Sequence, residues 1–313
     1  MDGYVSCDAP AKLNFTLEIT GRRSDGYHDL RSVVVPVSLF ETVTIRPRGD
    51  GAVTCRTRGD GVDVSALDSL APEKHLAVKA VRAMARALAR QPGKSGCDVE
   101  IVKRVPIGAG MGGGSADAAA ALVCLRALWA PDMPVADWLA VGASVGSDVP
   151  AMMLGGAVLM EGRGERVRRL IPQGESPPPM WVVVAFPGFA VSTKTVYDAY
   201  DAKNHVDMRS ALWEDCARSV RNGDVRECAP SLFNGLQSVV FEFHPTTERF
   251  CLALRRGGAL KSLLTGSGSA VFGLAESREA AEGMRRTLGG ETWAKVLRTL
   301  PDGVMAAHGP LVP

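Results

Sequence analysis

The run Pro106–Leu122, PIGAGMGGGSADAAAAL, puts five glycines into seven positions, 108–114, and then turns alanine-rich. Residues 108–113 fit G-x-G-x-x-G. Upstream lies CDVEIVKRV (97–105), which reads as a strand; downstream, SADAAAALVCLRALW is a strong helix former. The spacing predicts a helix from about Ser115 to Trp129, with Ser115 as N-cap and Asp117 in the first turn, where the helix dipole favours an anion. A glycine run that feeds a helix N-terminus offers free backbone N–H groups and lets a phosphate approach closely. The stretch therefore reads as a phosphate cradle rather than a plain flexible linker.

Three familiar cradles do not fit. A dinucleotide site needs a strand after the helix with an acidic residue at its end. Here WAPDMPVADWLAVGA reads as turn and helix, and Asp132 lies between Pro131 and Pro134. A Walker loop needs G-K-[ST], and no lysine follows these glycines. A protein-kinase loop needs later V-A-I-K and H-R-D segments, which are missing. The phosphates are expected to rest on backbone amides, the helix dipole and a metal ion.

Outward from this loop, the chain alternates short strands and helices. In KLNFTLEIT (12–20), Leu13, Phe15, Leu17 and Ile19 point one way, and Lys12, Asn14, Thr16 and Glu18 the other. An Asp25–Gly26 turn follows, then strands RSVVVPVSLF, ETVTIRP and AVTCRTRG, with Pro36 marking an edge or bulge. A helix spans about His75 to Leu88 and ends at QPGKSG. After the glycine helix come a second helix near 135–145, then GSDVPAMM as a loop and a hairpin around Gly162–Gly164. IPQGESPPPM is the strongest break, so the chain is expected to divide into domains 1–170 and 171–313. Beyond it lie a strand WVVVAF, helices near 193–201, 209–222 and 231–256, strands LKSLL and SAVFGLA, a helix 277–288 and a last strand AKVLRTL. The fold class is α+β.

Composition narrows the function. The apolar share of 46% and charged share of 22% suit a globular protein, and a net charge of +2 with scattered basic residues gives no nucleic-acid patch. Arg163, Arg166, Arg168 and Arg169 read as a solvated hairpin. Seven cysteines without C-x-x-C read as reduced thiols, and no histidine pair has zinc spacing. No signal peptide and no membrane-length apolar run are visible, so the expected location is cytoplasmic, with no membrane partner. No motif addresses oligomeric state.

The loop P-x-x-x-G-M-G-G-G-S-A-D resembles that of the GHMP small-molecule kinases, which include galactokinase, homoserine kinase and mevalonate kinase. The triple glycine before Ser115, followed by Asp117-Ala118-Ala119, is similar to the diphosphocytidyl-methylerythritol kinases of the non-mevalonate isoprenoid pathway. APAKLNFTLEITGRRSDGYHDL, GSDVPAMMLGGAVLMEGRGE, SLFNGLQSVV and LLTGSGSAVFGL resemble other motifs of that family, in order, from residue 9 to about 275.

The resemblance implies a two-domain fold, ribosomal-protein-S5-domain-2-like in the N-terminal part and ferredoxin-like in the C-terminal part. It implies MgATP-dependent phosphorylation of the 2-hydroxyl of a cytidine diphosphate sugar alcohol, with ATP and Mg²⁺ as cofactors and no protein metal site. It assigns Lys12 and Asp148 to catalysis, and Pro106, Gly108, Gly110, Met111, Gly112, Gly113, Gly114, Ser115 and Ala116 to ATP. Asn14, Tyr27, His28, Thr193, Tyr197, Gly266 and Ser267 are assigned to the substrate, with Tyr27–His28 and Tyr197 on opposite faces of the pyrimidine. By themselves Lys12 is an ordinary strand lysine, Asp148 a turn or cap residue, and Gly266–Gly268 a strand-entry turn. His75 stands where the family usually has asparagine at the nucleotide site. The alternatives are another GHMP kinase, of homoserine or mevalonate type, or a non-catalytic nucleotide sensor on the same scaffold.

Overall fold

The alternating segment around Lys12 lies at the centre of the molecule. In the computed structural model, which describes residues 3–68, 70–89, 95–172, 174–203, 212–290, 292–302, 305 and 307–308, both faces of that segment are covered. Leu13, Phe15 and Leu17 enter the core, and Lys12, Asn14, Thr16 and Glu18 are 0–5% exposed. The polar face is therefore buried in a cleft and not solvated.

In chain order the elements are β1 (Val5–Asn14), β2 (Thr16–Arg22), β3 (His28–Arg48), β4 (Val53–Gly59), α1 (Ser65–Asp68), α2 (Leu76–Ala87) and β5 (Gly96–Lys103). Next come α3 (Gly113–Trp129), α4 (Val135–Val145), α5 (Val149–Leu154), β6 (Val158–Gly162), β7 (Arg166–Arg169) and β8 (Trp181–Phe186). The remainder comprises α6 (Thr193–Ala202), α7 (Leu212–Asn222), α8 (Val225–Ser231), β9 (Phe233–Asn234), α9 (Gln237–Phe243), α10 (Pro245–Arg256), β10 (Lys261–Leu264), β11 (Val271–Ala275), α11 (Arg278–Arg286), β12 (Trp293–Arg298) and β13 (Ala307–His308).

Several boundaries depart from the sequence reading. The segments RSVVVPVSLF and ETVTIRP form one strand, β3. Along one side it pairs with β1; along the other it pairs with β6 at residues 30–34 and β5 at 42–48. Pro36 falls in the stretch 35–41 between the two partners, where its missing N–H removes no bond to β5 or β6. The segment VPAMML is a helical turn, α5, with Pro150 in its first turn, where proline is tolerated. The expected 231–256 helix is broken by β9, because Phe233 and Asn234 pair in parallel with β2. Most of the QPGKSG stop and positions 209–211 lie outside the described residues.

Nine described strands, β1–β7, β9 and β13, form one sheet; β10-β11-β8-β12 form a second, antiparallel one. Helices α2, α3 and α4 cover the first sheet over a core that includes Val43, Ile45, Leu122 and Leu125. In the second sheet the period of two is visible: Val182 and Val184 face the first sheet's core, and Val183 and Ala185 face α9, α10 and α11. A four-stranded antiparallel sheet with helices on one face agrees with the expected C-terminal architecture. Phe15, at the break between β1 and β2, stacks on Phe272 of β11 with centroids 5.5 Å apart. This pair ties the two sheets together in one shared core.

Both rings are fully buried. Phe272→Ala is expected to cost about 3–5 kcal/mol of folding stability by urea unfolding, from lost burial plus the cavity left behind.

Candidate active site

Helix α3 begins two residues earlier than the sequence suggests. Its N-cap is Gly112, in the left-handed region at φ 72°, and no side chain caps it. Ser115 is therefore already helical. Glycine opens the helix because the backbone must turn hard there, and a Cβ on Gly112 would come within 3.0 Å of the Lys12 side chain. Pro106, Gly108, Gly110 and Met111 through Ser115 line one cavity of about 310 Å³, together with His75 and Asp117. Ala116 does not join them: it is fully buried in the core behind the loop, and its N–H bonds Gly112 O at 2.8 Å. The Met111 side chain is also core, and that residue contributes its backbone.

The loop lies on β1. The Lys12 N–H donates to Met111 O at 3.0 Å. The Lys12 side chain is 5% exposed; its Nζ donates to Asn14 Oδ1 at 2.6 Å and lies 3.3 Å from Asp148 Oδ2. Asn14 in turn donates from Nδ2 to Ser32 Oγ at 2.8 Å, and Ser32 donates to Thr16 O. This chain of bonds fixes the lysine head. Asp148 occupies the N-cap position of α5 but caps nothing with its side chain. Its carboxylate turns to Lys12 and remains 31% exposed, open to a ligand.

A second cavity, of about 230 Å³, holds Lys12, Asn14, Asp148, Thr193, Tyr197 and Ser267, with Gly110 and Gly112 as its border to the first. Gly266 also lines it. Thr193 and Ser267 hydroxyls bond each other at 2.8 Å. The Gly266 turn is gripped by Asn234, whose Nδ2 donates to Gly266 O at 2.8 Å and Leu264 O at 2.9 Å. The Asn14 N–H donates to Thr265 Oγ1 at 3.1 Å.

The structure arranges the aromatic residues differently from the expected clamp. Tyr27 is 56% exposed on its turn, with the Arg163 guanidinium 5.2 Å from its ring. His28 is buried and stacks directly on Tyr197, centroids 4.9 Å apart, so their facing surfaces already cover each other. The His28 Nε2 lies 2.7 Å from Asp201 Oδ1. Burial, and then the Asp148 charge, push the Tyr197 hydroxyl pKa up.

Beneath the loop is an ion cluster that the sequence reading missed. Lys103 Nζ lies 2.7 Å from Glu41 Oε1 and 2.8 Å from Asp117 Oδ2, with all three nearly inaccessible. Glu41 also accepts from the N–H groups of Arg104 at 2.8 Å and Val105 at 3.3 Å. The cluster thus holds the loop's entry through Glu41 and its exit helix through Asp117. Burial pushes Glu41 up to about 7, Lys103 pulls it down and Asp117 raises it. Burial also raises Asp117, against the pull of Lys103. For Lys103, burial works against its charge, but Asp117 and Glu41 outweigh burial and hold its pKa above the ordinary range. The sequence hints were Glu41 and Lys103, each at a position where the alternation of its strand calls for an apolar residue.

The GHMP kinases N terminal domain matches residues 75–156, and the GHMP kinases C terminal matches 216–295. A 4-diphosphocytidyl-2-C-methyl-D-erythritol kinase of Pelotomaculum thermopropionicum is 35% identical over 277 residues, 88% of this chain and 91% of that protein. A crystal structure of 4-(cytidine 5'-diphospho)-2C-methyl-D-erythritol kinase superposes with TM-score 0.70 at 31% identity, covering 93% of this chain and 98% of the other. The L. major mevalonate kinase, at TM-score 0.71 but 15% identity over 95% of this chain and 96% of its own, shares the fold.

Lys103→Met would leave two buried carboxylates without a counter-ion. It is expected to cost about 3–5 kcal/mol of stability by chemical denaturation, whereas removal of a surface pair such as Lys194–Asp198 should cost under about 1 kcal/mol.

Proposed function

The chain belongs to the 4-diphosphocytidyl-2-C-methyl-D-erythritol kinases of the GHMP kinase family, and on that footing we propose how its own residues carry out the transfer. The reaction moves the γ-phosphoryl group of ATP to the 2-hydroxyl of 4-diphosphocytidyl-2-C-methyl-D-erythritol, giving the 2-phosphate and ADP. The observation that carries this reading is the meeting of two cavities at Gly110 and Gly112, with Lys12 and Asp148 beside the border.

In this reading the 310 Å³ cavity takes the nucleotide, with the triphosphate on the amides of Gly112 to Ser115 and the positive end of α3. The 230 Å³ cavity takes the acceptor alcohol. Asp148 accepts the hydroxyl proton as the new oxygen–phosphorus bond forms and the bond to the ADP oxygen breaks. The Lys12 ammonium, held by Asn14, keeps that carboxylate ionised and orients the hydroxyl. Thr193, Ser267 and the Gly266 turn, anchored by Asn234, position the acceptor. Catalysis rests on position and charge, with no covalent enzyme intermediate.

The described residues hold no group of three or more His, Cys, Asp or Glu arranged for a metal. A magnesium ion on the triphosphate would take phosphate and water oxygens for most of its shell, and Asp148 is the cleft carboxylate that would hold its waters. Such an ion would neutralise charge on the transferred group. His28 and Tyr197, already stacked, form one wall for the cytosine, and Tyr27 covers it from its turn. His75 lines the nucleotide cavity where asparagine is usual, so its ring takes over the polar contact there. A division of labour near residue 170 separates the part holding Lys12, Asp148 and the loop from the part that closes the cleft. No described helix is long and apolar enough to cross a membrane.

A panel of alcohols scored by ADP release tests the assignment. The cytidyl substrate should turn over and homoserine and mevalonate should not; the reverse would place the enzyme in another branch of the family. Asp148→Asn should keep affinity for both ligands and lower kcat by about 10²–10⁴-fold. Unchanged kcat would remove Asp148 from proton transfer.

A further inference from the structure

The nucleotide cavity has a floor that the transfer chemistry leaves unused. Asp117 lines that cavity. Its Oδ2 meets Lys103, but its Oδ1 is buried with no hydrogen-bond partner among the described residues, in a side chain only 9% exposed. On the other side of the same ammonium is Glu41, fully buried. Two carboxylates therefore share one cation in a dry place. Fully ionised, the cluster carries one net negative charge, and it sits below the turn into α3: a Cβ on Gly113 would stand 3.2 Å from both Glu41 Oε1 and Lys103 Nζ.

Few other charges relieve it. Arg104, next along the loop, turns its guanidinium away to Asp60 at 2.8 Å and Phe40 O at 3.1 Å. His75, preceding α2, faces Asp117 and favours its ionised form, and the Cys55 thiol on β4 is near enough to interact with Asp117. Lys74 lines the cavity alongside His75. A triphosphate on the amides above would meet the cluster's negative charge across little screening water. Protonating one carboxyl removes that repulsion and turns the partnerless oxygen into a site for O–H. Glu41, pushed up to about 7 by burial, makes such a proton accessible near neutrality.

We propose that Glu41, Lys103 and Asp117 form a proton-linked positioning site for the phosphate loop: one proton from solvent enters the carboxylate pair when a nucleoside triphosphate binds above it. The proposal rests on the reading of the loop as the triphosphate cradle. No covalent bond other than the new O–H is made. The sign follows from linkage: a ligand that binds the protonated form more tightly binds better at lower pH, and its affinity falls by up to tenfold per pH unit above the free cluster's titration.

Calorimetric titration of the full chain with a non-hydrolysable ATP analogue and magnesium reads this directly. Heats are taken in buffers of different ionisation enthalpy at about pH 8, above the value of about 7 to which burial raises Glu41. Wild type should take up a large fraction of one proton; Glu41→Gln, which is neutral and keeps one oxygen to accept from the Arg104 or the Val105 N–H, should take up almost none. Protons of the ligand itself cancel between the two proteins. Should Glu41→Gln fail to fold, Asp117→Asn takes its place as the comparison with one carboxylate neutralised. The wild-type excess over it at about pH 8 should vanish at about pH 6, where the proton is already in place. Binding with no uptake at pH 8, or with equal uptake in both proteins, overturns the proton link and leaves the cradle intact. Absence of any binding overturns the cradle as well.

Discussion

Two glycine turns about half the chain apart in sequence, at Gly110 and Gly266, touch with no space for a side chain between them. A Cβ on Gly266 would lie 2.8 Å from Gly110 O, and one on Gly110 would run into Thr265 O and lie 3.0 Å from Gly268 N. Ala270 N–H bonds Ala109 O at 3.1 Å across the same seam. Because both turns use positive φ, at 78° for Gly110 and 56° for Gly266, only glycine allows backbone to approach backbone there. The seam fixes the phosphate loop against the C-terminal sheet, while the Lys12–Met111 bond fixes it against β1. The site is thus assembled from segments near residues 12, 110, 148 and 266 and belongs to no single local motif.

Two sets of charges then divide the work. Lys12 and Asp148 meet at a cleft where the carboxylate stays partly exposed, as the proposed exchange of a proton with an incoming hydroxyl requires. Glu41, Lys103 and Asp117 are sealed below the loop, where each hydrogen bond is worth more and each unbalanced charge costs more. In the proposed mechanism the first set handles the transferred group; the second holds both ends of the loop to one strand and one helix. Neutral cores would hold a loop as firmly, but they would not respond to the charge of what binds above.

The glycine run before a helix, the alternating strand that carries Lys12 and the α+β class were legible because each rests on a local pattern, whereas Asp148 alone read as a turn or cap residue and only the family resemblance singled it out. The illegible parts depend on distant partners. Ser115 had the residue type of an N-cap, yet Gly112 takes the position because the chain must bend over Lys12. Asp117 suggested a dipole contact and instead reaches Lys103. The bonds of Asn234 to the Gly266 turn depend on the parallel pairing of β9 with β2, which two residues cannot announce. The stacking of Tyr197 on His28 joins residues 28 and 197, and only the folded chain sets that distance.

In the proposed mechanism the loop aims a γ-phosphoryl group at a hydroxyl held between Lys12 and Asp148. Phosphorus NMR of the product formed from MgATP and 4-diphosphocytidyl-2-C-methyl-D-erythritol tests it most directly. One new phosphomonoester is expected on the carbon that bears the methyl group, with the diphosphate resonances retained and ADP formed in equal amount. A monoester on another hydroxyl, or ADP without a new monoester, would contradict it.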